Sequence, residues 1–222
     1  TMHNDSGRTV SIWSHPRSVD HGPLQHDASC DVCVVGGGIA GLSVAHALAT
    51  EGKAVILIDD GPLCGGETYR TTAHLSAVPE LGYRGVIAHQ GKDRAAAVIE
   101  AHQWAINRTN ELATGFGAEC DFQQRDVIRI SRHADPERAE QEMEAELEAA
   151  ESLGVEASLA SDTHPGLAHA NPHMHIAGMA QFSPMSFCDA LAHSAAEHNA
   201  RLHTHTAMRG LDRQHNKLIT CK

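Results

Sequence analysis

The sequence predicts an α/β fold built around a parallel sheet, and three observations carry the prediction. A short apolar run, Asp31-Val32-Cys33-Val34-Val35, leads straight into the glycine cluster Gly36-Gly37-Gly38-Ile39-Ala40-Gly41. Leu42, Ala45, His46 and Ala49 then recur at helical spacing, and Gly52 closes that helix, as glycine does past a C-terminus. A second apolar run, Ala54 to Ile58, ends in the acids Asp59 and Asp60. Strand, glycine turn, helix and strand in this order make a βαβ unit, whose two strands must lie parallel.

Each further element rests on its own signal. The continuous valines of the first run suit a strand buried on both faces. Before it, residues 1–30 are polar and rich in His, Ser, Asp and Pro, with Trp13 as an aromatic anchor, and read as a surface leader. Lys92 to Thr114 places Val98, Ile99, Ala105, Ile106, Leu112 and Ala113 at helical spacing. Glu119 to Gln124 and Asp126 to Ser131 read as two strands. Asp135-Pro136 then opens a helix that runs to about Leu153 and stops at Gly154, with the acids of Glu137 to Glu151 as its solvated face. His175 to Phe182 reads as a strand, and Ser183-Pro184 as the cap and first residue of a helix over Met185 to His198, with Phe187, Leu191 and Ala195 inward. Arg201 to Met208 and Lys217 to Cys221 read as strands. The expected organisation is a leader at 1–30 and a nucleotide-binding domain over 31–222, interrupted by part of a substrate domain at roughly 115–180. Because the chain stops directly after a strand, the sequence alone suggests an N-terminal fragment whose C-terminal half is missing.

Composition narrows the function. Seventeen Lys+Arg against 28 Asp+Glu give a net charge of −11, which argues against a broad phosphate-neutralising face and hence against nucleic acid. No run reaches the roughly 20 apolar residues of a membrane helix, and the polar N-terminus has no signal core, so the expected compartment is the cytoplasm. Six cysteines are too sparse for a disulfide scaffold. Cys30 and Cys33 form C-x-x-C, but a strand there points the two sulfurs to opposite faces. His173/His175 and His203/His205 share strand faces among the 18 histidines, with no third ligand in view, so no metal site is expected.

Gly36, Gly38 and Gly41 make G-x-G-x-x-G at the strand–helix junction. The first permits the tight turn, the second admits a pyrophosphate to the backbone, and the third lets helix and strand pack closely. The phosphates then face the helix N-terminus, which makes Ile39 and Ala40 candidate contacts as well. Asp59, ending the second strand, is placed to take the adenosine ribose hydroxyls, with Asp60 beside it. An acid here argues against a 2′-phosphate and so against NADP, without separating FAD from NAD.

The stretch Cys64-Gly65-Gly66-Glu67-Thr68-Tyr69-Arg70-Thr71-Thr72-Ala73-His74-Leu75, with the glycine fingerprint and Asp59, resembles the D-amino-acid oxidase/glycine oxidase/sarcosine oxidase family of FAD-dependent oxidoreductases. Within it the likeness is to bacterial members whose longer chains sometimes end in a Rieske iron-sulfur domain and which share a leader like Ser11-Ile12-Trp13. Ala180 to Pro184 and Arg201 to Met208 also look like family elements. The resemblance implies an FAD/NAD(P)-binding Rossmann-like parallel sheet with the start of a mixed α+β substrate domain. It implies FAD as cofactor, with Thr68, Arg70, Thr71, Thr72 and Ala73 wrapping the pyrophosphate and flavin, and the Met208 backbone touching the adenine. Relatives that attach flavin covalently through this loop carry histidine where Arg70 stands, so that attachment is not implied here. On residues alone, Gly65-Gly66 also fits a plain turn, Thr71-Thr72 an exposed cap and Arg70 a surface cation.

The implied activity is oxidation of a C–N bond in a small amine or amino acid, with a hydride equivalent passing to flavin N5 and the imine product hydrolysed by water. An NAD-dependent dehydrogenase and a non-catalytic nucleotide-binding fragment are the alternatives, since one βαβ unit serves many functions. A tRNA-modifying or thiol-linked flavoprotein ranks last, because the charge and the isolated C-x-x-C give it little support. Catalytic residues, electron acceptor and oligomeric state are not legible.

Overall fold

The computed structural model describes residues 11–13, 20–117, 120–131, 133–160, 172–215 and 217–221. These divide into two compact units. The first comprises residues 1–73, 113–120 and 183–222, and the second residues 74–112 and 121–182.

The first unit is built on the βαβ element read from the sequence. Strand β1 (Val32–Val35), helix α1 (Ile39–Thr50) and strand β2 (Val55–Ile58) follow one another, and β1 pairs with β2 in parallel. α1 buries Leu42, Ala45, His46 and Ala49, the stripe that the helical period predicts, and ends where the Gly52 N–H donates to the Ala49 carbonyl at 2.9 Å. The two strands differ in burial. Every residue of β2 is buried, whereas β1 is half-buried and leaves Val35 51% exposed. The expectation of a β1 buried on both faces is corrected here: the sheet order is β1-β2-β7, with β7 at Arg201–His203, so among the described residues β1 is an edge strand and β2 has a neighbour on each side.

Helix α5 (Pro184–Glu197) precedes β7 and packs on α1, with Phe187, Leu191 and Ala195 buried. Ser183 takes the N-cap position, but its hydroxyl bonds to the Ser186 hydroxyl at 3.0 Å instead of a backbone N–H. A second correction falls after β7. The run Arg201 to Met208 is not one strand: it breaks at Thr204–Thr206, and β8 (Ala207–Asp212) turns away to pair with β9 (Lys217–Cys221) in a separate hairpin. His205, with φ +51, sits in the left-handed region and turns the chain there.

In the second unit, β3 (His74–Leu75), β4 (Gln123–Ile130) and β5 (Ala157–Ala160) all pair antiparallel with the central β6 (His173–Gln181). The two strands expected over Glu119 to Gln124 and Asp126 to Ser131 are one. A β-bulge between Arg125 and Val127 interrupts its alternation, which is why the pattern reads as a break, and Glu119 lies outside the described residues. Helices α2 (Gly82–Gln90), α3 (Lys92–Gly115) and α4 (Pro136–Ser152) complete the fold, α3 passing into the first unit at Ala113. The core gathers Tyr83, Ile99, Met143, Met174, Ile176 and Met179. Ala105, expected inward on α3, is exposed.

Asp135 caps α4 by accepting the Arg138 N–H at 2.9 Å, with Pro136 in the first turn. One acid of this helix departs from the expected solvated face. Glu146 is 4% exposed, accepts the Tyr83 N–H at 2.9 Å and lies 3.7 Å from the Arg129 guanidinium, partners that compensate a buried carboxylate. Burial pushes the neighbouring Tyr83 phenol up to about 12. No helix among the described residues is long and apolar enough to cross a membrane.

Candidate functional site

The glycine turn lies in the first unit, between β1 and α1. Gly36 has φ +104, where a side chain is strained, and its N–H donates to the Ile58 carbonyl at 2.8 Å, which fixes the turn against the end of β2. A Cβ on Gly41 would lie 1.8 Å from the Gly36 carbonyl oxygen, so α1 approaches the turn closely only because residue 41 has no side chain. Gly38 occupies the N-cap of α1 with no side-chain bond, and a Cβ there would sit 3.2 Å from the Thr68 hydroxyl.

Sequence reasoning missed Gly37. It is buried, and a Cβ would come within 2.5 Å of a Leu63 methyl and 3.3 Å of the Asp59 side chain. The run of three glycines was the available signal, since the fingerprint itself leaves position 37 free.

Asp59 is tied to this turn. One carboxylate oxygen accepts the Gly37 N–H at 2.6 Å and the other the Gly61 N–H at 2.8 Å. A carboxylate offers about four acceptor sites, so capacity remains for hydroxyl donors. Its backbone is clasped as well: the Asp59 N–H donates to His203 at 2.9 Å, and the Thr206 N–H donates to the Asp59 carbonyl at 2.7 Å. Asp60, beside it, is exposed. Burial lowers the pKa of His21 and of His203, in His203 with help from the Arg201 charge.

The loop after β2 returns to the turn twice. The Cys64 N–H donates to the Gly37 carbonyl at 2.9 Å, and the Thr68 hydroxyl accepts the Ile39 N–H at 3.1 Å. Thr68 lies in a single 3-10 turn, Glu67–Arg70. The structure thus brings Gly36, Gly38, Ile39, Ala40, Gly41, Asp59 and Thr68 together. Arg70 folds back on its own loop, its guanidinium donating to the Gly65 and Gly66 carbonyls at 3.2 Å each. Thr71 caps the turn, its hydroxyl accepting the Ala73 N–H at 3.2 Å, while Thr72 is exposed and Ala73 is buried at φ +62. Met208 stands on β8, outside the three-stranded sheet and 44% exposed.

Elsewhere, Cys30, Cys33, Cys64, Cys120 and Cys188 are free thiols. The Cys188 thiol is held protonated well above its ordinary range, first by its hydrogen bond with Cys64 and then by burial. The His173 and His175 rings meet at 3.1 Å between their Nε2 atoms, and no group of three or more potential metal ligands occurs among the described residues.

Fold and site together define a dinucleotide-binding protein with the pyrophosphate turn at the head of α1. The comparison with protein families takes the assignment further: residues 31–221 match the FAD dependent oxidoreductase model, DAO, and the chain belongs to that family, whose cofactor is FAD. A relative in Bacillus subtilis (strain 168), which carries the name Rieske 2Fe-2S iron-sulfur protein YhfW, is 30% identical over 183 residues, covering 82% of this chain and 35% of the relative. The L-amino acid deaminase of Proteus myxofaciens, solved in complex with anthranilate, superposes with a TM-score of 0.70 at 17% identity, over 96% of this chain and 45% of that one. Glycine oxidase from Geobacillus kaustophilus gives 0.64 at 21% identity, over 82% and 48%. At these identities the two structures show the fold. The chain spans less than half the length of each of these three proteins.

The residues present fit the cofactor. The glycines at 37 and 41 let the turn pack against Leu63 and α1, the N-cap Gly38 leaves the head of α1 without a side-chain cap, and the Asp59 carboxylate keeps acceptor capacity at the end of β2.

Proposed function

We propose that this chain holds FAD for the oxidation of a C–N bond in a small amine or amino acid. The observation that carries the reading is the closed arrangement of Gly36, Gly37, Gly41, Asp59 and Thr68 around the N-terminus of α1, in a chain of this family. Two of the similar structures bear the names of an amino acid deaminase and a glycine oxidase, which supports an amine or amino acid as substrate.

In this reading Gly38 and Ala40 present backbone N–H groups to the pyrophosphate at the positive end of α1, with Ile39 beside them holding the Thr68 hydroxyl through its own N–H. Asp59 accepts the ribose hydroxyls while its bonds to Gly37 and Gly61 hold it in place, with Asp60 at the margin. Thr68 pins the loop to the helix start, and Arg70 stiffens the same loop from within, so that Thr71, Thr72 and Ala73 line the path towards the flavin. Met208 offers its backbone to the adenine. Bound FAD supplies the hydride acceptor, and the residues seen here bind and orient it.

Two measurements test the reading. Purified protein titrated with FAD should show a saturable change in the flavin spectrum, with NAD unable to compete. Anaerobic mixing with a panel of amino acids and amines should bleach the flavin band, and reoxidation by oxygen or by a dye then distinguishes an oxidase from a dehydrogenase. Bleaching by hydroxy acids or alcohol phosphates in place of amines would overturn the C–N assignment while leaving FAD in place.

A further inference from the structure

The polar leader reads from the sequence as a surface segment, yet it is bonded to both ends of the proposed cofactor site. At one end, the Trp13 indole N–H donates to the Thr71 carbonyl at 2.8 Å, across 58 residues of sequence. Thr71 is the residue at which the loop turns from its 3-10 segment towards Ala73, whose φ of +62 is a conformation that must be held by its surroundings.

At the other end, the leader lies along the break between β7 and β8. The Thr204 hydroxyl donates to the Asp20 carboxylate at 2.7 Å, and the Thr204 N–H donates to the Gly22 carbonyl at 3.1 Å. The Leu24 N–H donates to the Thr206 hydroxyl at 2.9 Å, and Arg201 donates to the Ser29 carbonyl at 2.5 Å. Thr204 and Thr206 are 2% and 1% exposed, so their own bonds are costly to leave unmade, whereas the Arg201–Ser29 bond lies at the surface. This same short segment holds Asp59 and Gly61, through Thr206 N–H to the Asp59 carbonyl and His205 N–H to the Gly61 carbonyl at 3.3 Å.

We infer that the leader is a strap of the cofactor site, with Trp13 positioning the flavin loop through Thr71 and Asp20 to Leu24 positioning the ribose corner through Thr204 and Thr206. The inference rests on the FAD reading given above. Docking of the leader and binding of FAD then favour one another, and by linkage each strengthens the other by the same factor.

The full chain carries a built-in reporter, because Arg17, a trypsin site, falls between the two anchors in sequence. FAD should slow cleavage at Arg17. Trp13→Phe keeps an aromatic ring and removes the donor, and Thr206→Val keeps the shape and removes the hydroxyl. Each should raise the FAD dissociation constant roughly three- to tenfold, the worth of one or two hydrogen bonds. Each should also reduce the protection of Arg17 by FAD; Trp13→Phe, at an exposed bond, should leave the melting temperature of the FAD-free protein little changed, while Thr206→Val, which unpairs the Leu24 N–H, should lower it. Trp104→Phe, on an indole 66% exposed in the second unit, should do neither.

The outcomes separate the two ideas. A wild type that takes up no FAD overturns the site and the strap together. A wild type that binds FAD, with both variants binding equally well and Arg17 cut at the same rate with and without FAD, overturns the strap alone. A melting temperature that falls in both variants by as much as the affinity loss accounts for makes the leader merely structural and likewise overturns it.

Discussion

Two loops serve the proposed site, and they are held in place by different means. The corner at Asp59 is clasped from three sides: its carboxylate takes N–H groups from the glycine turn and from Gly61, and its backbone is bonded to His203 and Thr206. The loop from Gly65 to Ala73 leans on itself, with Arg70 on its own carbonyls and Thr71 on Ala73, and reaches outward through Thr68 and through the leader's Trp13. The difference follows from geometry. A strand end inherits order from the sheet, whereas a long connection must supply its own bonds or borrow them.

The largest effect expected from breaking this arrangement comes at the turn both loops depend on. Gly41→Ala puts a methyl group 1.8 Å from the Gly36 oxygen, and the displacement of α1 should cost about 3 kcal/mol of stability and abolish FAD binding, measured by thermal melting and flavin titration. Next, Asp59→Ala unpairs the Gly37 and Gly61 N–H groups and should weaken FAD by on the order of 1 to 3 kcal/mol. An unchanged affinity would move the ribose contact to Asp60. Thr68→Val removes one acceptor and should cost about 1 kcal/mol of affinity. Arg70→Ala sharpens the contrast. If the guanidinium only stiffens its own loop, the titration should show a loss of about 1 kcal/mol or less, and a loss well beyond that would put Arg70 on the cofactor itself.

The smallest expected effect is a pH dependence at the Asp59 corner. His21 and His203 both have pKa values below the ordinary 6.5, through burial. A histidine with a depressed folded value contributes its full stability above the unfolded value, and that contribution is lost as pH falls through the folded one. Melting temperature should therefore hold above about pH 6.5 and decline below it, and His203→Gln should flatten the decline.

Much of the first unit was legible because local periodicity and burial agree there. Leu42, Ala45, His46 and Ala49 form one stripe, and the glycine spacing states a turn and a close approach that the structure realises. Helix α2 was not legible: Gly82 and Gly85 weaken it, and with Tyr83 and Val86 as its buried large residues it offers no sustained period. The split read into β4 fell at Arg125, next to a bulge that disrupts an alternation the sheet nonetheless continues. Glu146 looked like any acid on a charged helix, because nothing local marks the Tyr83 N–H and Arg129 that meet it.

The sequence by itself determined the βαβ unit, its glycine turn and the acid at the end of β2, since each is written in residues a few positions apart whose spacing is dictated by backbone geometry. Only the tertiary structure decided that Gly37 must be glycine, that Asp59 is held by the turn it serves, and that the leader is bonded to Thr71, Thr204 and Thr206. Those facts join residues from 22 to more than 180 positions apart. Hydrogen bonds of that separation leave no periodic trace in a single chain, because either partner alone is an ordinary polar residue until the fold brings the other to it.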